Sequence, residues 1–187
     1  MITEFNTDFL TTTAECRTLV RKARLKGNHA LANAALERKY EISISNVKTQ
    51  EQCTNFIKNV KNRGREDLVP LILQQSIKLS IQDYPNESPL EDVEIACLKV
   101  LFLYEKLLVL KNGRRHLATY TRRSIKNNGI VKAVDNIVSK NAKTVGFKNL
   151  CSVGLTLDSF ESVVDKFPEK FSNLAVEKSR QRLNLAA

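Results

Sequence analysis

Tryptophan is absent, methionine occurs once, histidine twice, and only six glycines and four prolines serve 187 residues. So few turn formers exclude a fold of many short strands, which needs a turn at every reversal. They also exclude a loop-dominated or disordered chain. No apolar run approaches the ~20 residues needed to cross a bilayer. The longest lies near Lys99, Glu105 and Lys106. The opening residues, Met1-Ile2-Thr3-Glu4-Phe5-Asn6-Thr7-Asp8, have no basic start and no apolar stretch. No secretory signal is therefore expected, and the expected location is cytoplasmic. Cys16, Cys53, Cys97 and Cys151 form no C-x-x-C pair, and each falls at or beside an apolar helical position. They read as free buried thiols, with two disulfides the alternative that a cytosolic location disfavours. No His/Cys/Asp/Glu cluster has ligand spacing, and no phosphate loop or dinucleotide fingerprint is present, so no metal and no cofactor are expected.

What the chain does contain is helix. Ser88-Pro89-Leu90-Glu91 combines an N-cap, a first-turn proline and a capping-box acid. Thr12-x-x-Glu15, Thr49-x-x-Gln52 and Asp158-x-x-Glu161 have the same kind of spacing. Gly27, Gly64, Gly113 and Gly129 mark stops, and Pro168 interrupts a late helix. Helices are predicted over 8–25, 29–40, 49–62, 66–82, 89–111, 114–127, 130–140, 145–153, 158–167 and 172–184. Glu41-Ile42-Ser43-Ile44-Ser45 alternates like a strand but has no partner, and reads as loop.

The first four helices resemble a duplicated unit. A shift of 37 residues places Leu19 on Phe56, Val20 on Ile57, Gly27 on Gly64, Leu31 on Leu68 and Ala35 on Ile72. One hairpin cannot bury both its apolar stripes alone, so such units stack. The predicted fold is all-α: a single domain in which stacked hairpins over 1–84 lead into a compact helical bundle over 85–187. Val93, Cys97, Leu98, Leu101, Phe102, Leu107 and Leu110 leave the helix near 93–110 little polar face. That helix should be the spine of the bundle. Its expected partners are Phe147, Leu150, Leu155, Phe160, Val163, Val164, Phe167, Phe171 and Leu174.

The net charge is +10, and it is concentrated. Residues 101–150 hold eleven Lys/Arg against two acids, Glu105 and Asp135, and the remainder is nearly neutral. On the helix predicted at 114–127, Arg115, Thr119, Arg122 and Lys126 form one stripe, widened by Arg114 and Arg123. Leu117 and Ile125 should reach inward. Cations displace condensed counterions, arginine grips phosphate with two bonds, and small hydroxyls and amides fix register. Arg114, Arg115, Arg122, Arg123 and Lys126 are the expected phosphate contacts, with Lys132 and Lys140 secondary. A helix-turn-helix through Gly129 fits poorly, since Ile125 stands where a small residue belongs and Asp135 where an apolar one does.

One short motif points elsewhere. Arg24-Leu25-Lys26-Gly27-Asn28-His29 resembles, over six residues, the R-x4-6-H motif of HEPN-class all-α ribonucleases. Leu25 replaces a usually polar residue, and Gly27 breaks the helix on which the motif would lie. The reading that follows is a non-catalytic nucleic-acid-binding protein with DNA or RNA as partner. The alternatives are a protein-interaction scaffold or nucleoprotein subunit meeting an acidic protein and, least supported, an all-α ribonuclease.

Overall fold

The computed structural model describes residues 5–113 and 117–184, and among them there is no strand. The helices are α1 (Thr13–Leu25), α2 (His29–Ser45), α3 (Gln50–Lys61), α4 (Val69–Gln82), α5 (Asp92–Asn112), α6 (Thr119–Asn128), α7 (Ile130–Val138), α8 (Val145–Ser152), α9 (Phe160–Lys166) and α10 (Asn173–Asn184). Short 3-10 turns precede α4 and α9 and follow α9. No helix among the described residues is long and apolar enough to cross a membrane. The chain divides into two compact units, Met1–Leu79 and Ser80–Ala187.

The first unit is two helical hairpins related by the 37-residue offset at the level of single hydrogen bonds. Thr12 caps α1 by accepting from the Glu15 amide (3.2 Å), and Thr49 caps α3 by accepting from the Gln52 amide (3.1 Å). Glu15 accepts from the Thr11 amide (2.9 Å) and Gln52 from the Lys48 amide (2.8 Å). Both hairpins turn at a left-handed glycine, Gly27 (φ 71°) and Gly64 (φ 67°). Past each glycine an amide reaches back five residues, Asn28 to the Ala23 carbonyl and Arg65 to the Val60 carbonyl, both at 2.9 Å. Arg38 Nε donates to the Leu10 carbonyl (3.2 Å), and its counterpart Gln75 Nε2 donates to the Val47 carbonyl (2.9 Å).

The cores repeat as well. Leu10, Cys16, Ala35 and Ile42 form one buried cluster. Their counterparts Val47, Cys53, Ile72 and Leu79 lie together in the next. Small residues at Ala23, Ala32 and Ala35 let α1 and α2 make the most extensive close backbone contact of any helix pair. Val60, Val69 and Ile72 stand at the equivalent positions of the second hairpin.

The strand-like segment 41–45 is helical and completes α2. Ile42 packs into the first cluster and Ile44 into the second. Residues two apart on a helix project about 200° apart, so a helix buried on two opposite sides produces a strand's alternation. Other boundaries also shift. The first helix starts at Thr13 rather than residue 8, directly after its N-cap Thr12. α5 begins at Asp92 with Glu91 as N-cap, where the Glu94 carboxylate accepts from the Glu91 amide (2.9 Å). Ser88 and Pro89 are exposed outside it. Ser159, not Asp158, caps α9 by accepting from the Ser162 amide (3.3 Å).

In the second unit α5 packs on α7 and α9, and α10 packs on both of these. Val93, Cys97, Leu98, Val100, Leu101 and Phe102 are buried, as are Phe147, Leu150, Val163 and Val164 among the expected partners. The spine is not buried to its end, where Leu110 is 45% exposed, and among the expected partners Leu174 on α10 is 50% exposed. All four cysteines are free; Cys16, Cys53 and Cys97 are buried and Cys151 is half-buried. Burial pushes the Cys97 thiol up to about 12.

Candidate nucleic-acid interface

Glu105 is the one acid in the apolar second half of α5, and only 7% of its side chain is exposed. Burying a carboxylate is costly unless it is paired and hydrogen-bonded. Arg122 of α6 supplies the pair in a two-pronged grip, Nε to Oε1 at 2.6 Å and Nη2 to Oε2 at 2.7 Å. The Ala118 amide, at the N-cap of α6, adds a third bond to Oε1 (2.9 Å). The guanidinium also lies over the Phe102 ring, 5.4 Å from its centroid. Glu105 thus fixes both the start of α6 and its rotation about its axis.

This geometry places the expected phosphate contacts unequally. Arg122 is turned inward, and the neighbouring carboxylate holds its proton more firmly than usual. Arg123 and Lys126 are exposed, with neither ion pair nor hydrogen bond among the described residues. Arg114 and Arg115 lie outside the described residues. Ile125 is buried as expected, but Leu117 is 41% exposed.

Lys132 is compromised as well, its ammonium 3.5 Å from Asp135. Asp135 is buried because it caps the chain entering α10, accepting from the Ser172 amide at 2.8 Å. Burial opposes its ionisation, but the Ser172 backbone and hydroxyl donors and Lys132 outweigh it and leave the carboxyl more acidic than usual. Lys140 has no ion pair with an acid among the described residues. Its ammonium donates to the Tyr120 hydroxyl (2.9 Å) and sits 4.5 Å from that ring's centroid. The contact makes the phenol more acidic. Tyr120 itself is 57% exposed.

The segment after α7 is tied down by a residue from the far end of the unit. Arg182 and Glu161 form an ion pair at 3.0 Å, with side chains 4% and 3% exposed. Arg182 also donates to the carbonyls of Lys140 and Ala142. Burial raises the Glu161 pKa, and the guanidinium partly offsets that. Beside this anchor lies a groove of about 540 Å³, lined by Leu101, Tyr104, Ile137, Phe147, Lys140 and Lys143 among others. No sequence spacing announces it, because its walls come from α5, α6, α7, α8 and α9. Neither Glu105 as the partner of Arg122 nor the Glu161–Arg182 pair is visible in local pattern, although an isolated acid in an apolar spine is a signal that it needs a cation.

Arg24 and His29, the ribonuclease-like pair, fall on different helices, since α1 ends at Leu25 and α2 begins at His29. Among the described residues no group of three His, Cys, Asp or Glu side chains could hold a metal ion. Comparison with protein families, curated proteins and solved structures finds no match to this chain.

Proposed function

We propose that the protein is a non-catalytic binder of nucleic acid that meets the phosphate backbone through α6 and the start and end of α7. The observation that carries this reading is the pair Arg123 and Lys126, exposed on α6 with no acid bound to either among the described residues. Lys140 extends the surface, Lys132 adds a cation shared with Asp135, and Arg114 and Arg115 would add to it from the sequence just before. Arg122 acts as a positioning residue that presents its neighbours. Recognition of this kind reads backbone rather than bases, so affinity should fall steeply with salt. Fluorescence anisotropy with labelled duplex DNA, single-stranded DNA and RNA over a salt series tests it. Salt-sensitive binding that Arg123→Gln/Lys126→Gln weakens supports the reading, and no binding of any polymer at low salt overturns it.

A second reading rests on the groove. Its apolar floor and the two ammonium groups of Lys140 and Lys143 suit a partner segment that is apolar and acidic. Such binding would tolerate salt better than phosphate contact does. An anionic apolar dye that binds the native protein and is released by Lys140→Glu would favour it; no dye binding would remove it.

A further inference from the structure

The first unit carries as much net charge as the second. Residues 1–79 hold thirteen Lys/Arg against eight Asp/Glu, a net +5, half of the total. Much of that excess gathers on one helix. Arg17, Arg21 and Arg24 stand at i, i+4 and i+7 of α1, within an arc of about 60°. With Lys39 of α2 they line a groove of about 480 Å³ with Val20, Leu36 and, at its edge, Leu25, and no acid among the described residues lines it.

The acids that could neutralise this groove are engaged elsewhere. Glu37 is held by Arg65 at 2.6 Å, and Glu41 by Arg38 at 2.9 Å. Glu15 accepts from the Thr11 and Thr12 amides as part of the α1 cap, which makes it more acidic than usual. Arg17, Arg21 and Arg24 have no ion pair or hydrogen bond among the described residues. The repeat adds an independent observation. The 37-residue counterparts of Arg21 and Arg24 are Lys58 and Lys61, both exposed on α3. The same two positions of both hairpins are therefore cationic, while the polar contacts of the scaffold around them are reproduced.

We propose that the groove between α1 and α2 is a second phosphate-binding site, in which Arg17, Arg21 and Arg24 contact successive phosphates of one strand. Lys39 closes the opposite wall. The three arginines span a rise of about 10 Å along α1, about three phosphate-to-phosphate steps at ~3.4 Å of rise per strand, so their long side chains can reach successive phosphates. Arginine suits the task because its planar fork can hold two phosphate oxygens at once. Leu25, 81% exposed at the end of the helix, offers an apolar edge to sugar or base. This inference rests on the nucleic-acid reading and adds to it a contact surface in the other unit.

The test is anisotropy on the full chain with labelled duplex DNA, single-stranded DNA and RNA, comparing three variants. Arg17→Gln/Arg21→Gln/Arg24→Gln should weaken binding by about 100-fold near 0.1 M salt and flatten the log-log salt slope by about 2–3. Lys22→Gln/Lys48→Gln/Lys78→Gln removes the same charge from exposed positions of the same unit outside the groove, and should weaken binding far less. Arg123→Gln/Lys126→Gln reports the α6 surface. If the arginine variant loses no more than the lysine control, the groove is not a site and the proposal falls. If the native chain binds but only the α6 variant loses affinity, the α6 reading stands alone. If the native chain binds no polymer at low salt, both fall. All three substituted sets are exposed, and unchanged far-ultraviolet circular dichroism confirms that each variant is folded.

Discussion

Replacing Arg122 with glutamine should cost stability, while replacing its neighbour Arg123 should cost affinity. Glu105 accepts three hydrogen bonds, and two of them come from Arg122. Hydrogen bonds to charged groups contribute roughly 1.5–3 kcal/mol each. Breaking a buried pair from one side costs about 3–5 kcal/mol, because the remaining charge is left unpaired. The Arg122 side chain is 36% exposed, so water can reach part of the vacated site and the loss must be discounted. The expected cost is about 2–3 kcal/mol. For a chain of this size each kcal/mol moves Tm by about 2–4 °C, which gives a fall of roughly 4–12 °C in thermal melts followed by circular dichroism. Arg123→Gln should stay within about 0.5 kcal/mol of the native protein. Adding Glu105→Gln to Arg122→Gln should recover part of the loss, since it removes the stranded charge. The reasoning is refuted if Arg122→Gln melts within about 1 °C of native and loses as much nucleic-acid affinity as Arg123→Gln.

Arg182→Met leaves Glu161 buried without its partner and should lower stability by about 3–5 kcal/mol in guanidinium titrations; a loss under ~1 kcal/mol would mean that water enters the pair. Asp135 is more acidic folded than unfolded, so its stabilisation is present above the unfolded carboxylate range near ~3.9 and is lost as pH falls through the lower folded value. Asp135→Asn should flatten the acid limb of a stability–pH curve measured with urea, and an unchanged acid limb would discount the Ser172 contact. At one repeat position opposite substitutions should both destabilise. Ile72→Ala opens a cavity at about 2–5 kcal/mol, and Ala35→Ile overpacks the tight α1–α2 contact at about 1–3 kcal/mol. A neutral Ala35→Ile would show that the first hairpin can widen to the spacing of the second.

Helices were legible in the sequence wherever their signals were local. Thr49, Gly27 and Gly64 act through hydrogen bonds to near neighbours, and the helix ends they set lie close to the predicted positions, whereas the cap at Thr12 starts α1 later than predicted. Ile42 and Ile44 misled because their alternation has a tertiary cause, two cores on opposite sides of one helix. Ser88-Pro89 lost to Glu91 because Glu94 offered a competing reciprocal contact one turn later. The basic stripe at 115–126 was legible as composition but not as geometry. Periodicity grouped Arg122 with Lys126, and only the fold reveals that Glu105, 17 residues earlier, takes Arg122 out of the set. A window of charge along the chain likewise emphasised 101–150 and passed over Arg17, Arg21 and Arg24. Their neighbours in sequence include acids, and only in three dimensions do those acids turn out to be occupied.

The sharing of α2 between two cores has a consequence for how the first unit opens. α1 is held by a small cluster in which Cys16 and Ala35 supply little side-chain volume. α2 is held additionally on its other side, where its own Tyr40 and Ile44 pack into the second cluster. Cooperative opening follows such differences in burial, and in stacked hairpins it propagates between neighbours. α1 can therefore peel away while α2 remains seated on the second hairpin, and its amides should exchange hydrogen sooner than those of α2. A helix of that kind behaves as a detachable arm. A polyanion gripping its arginines together with Lys39 of α2 would clamp the arm shut, so that occupancy of the groove is written in the exchange rate of α1.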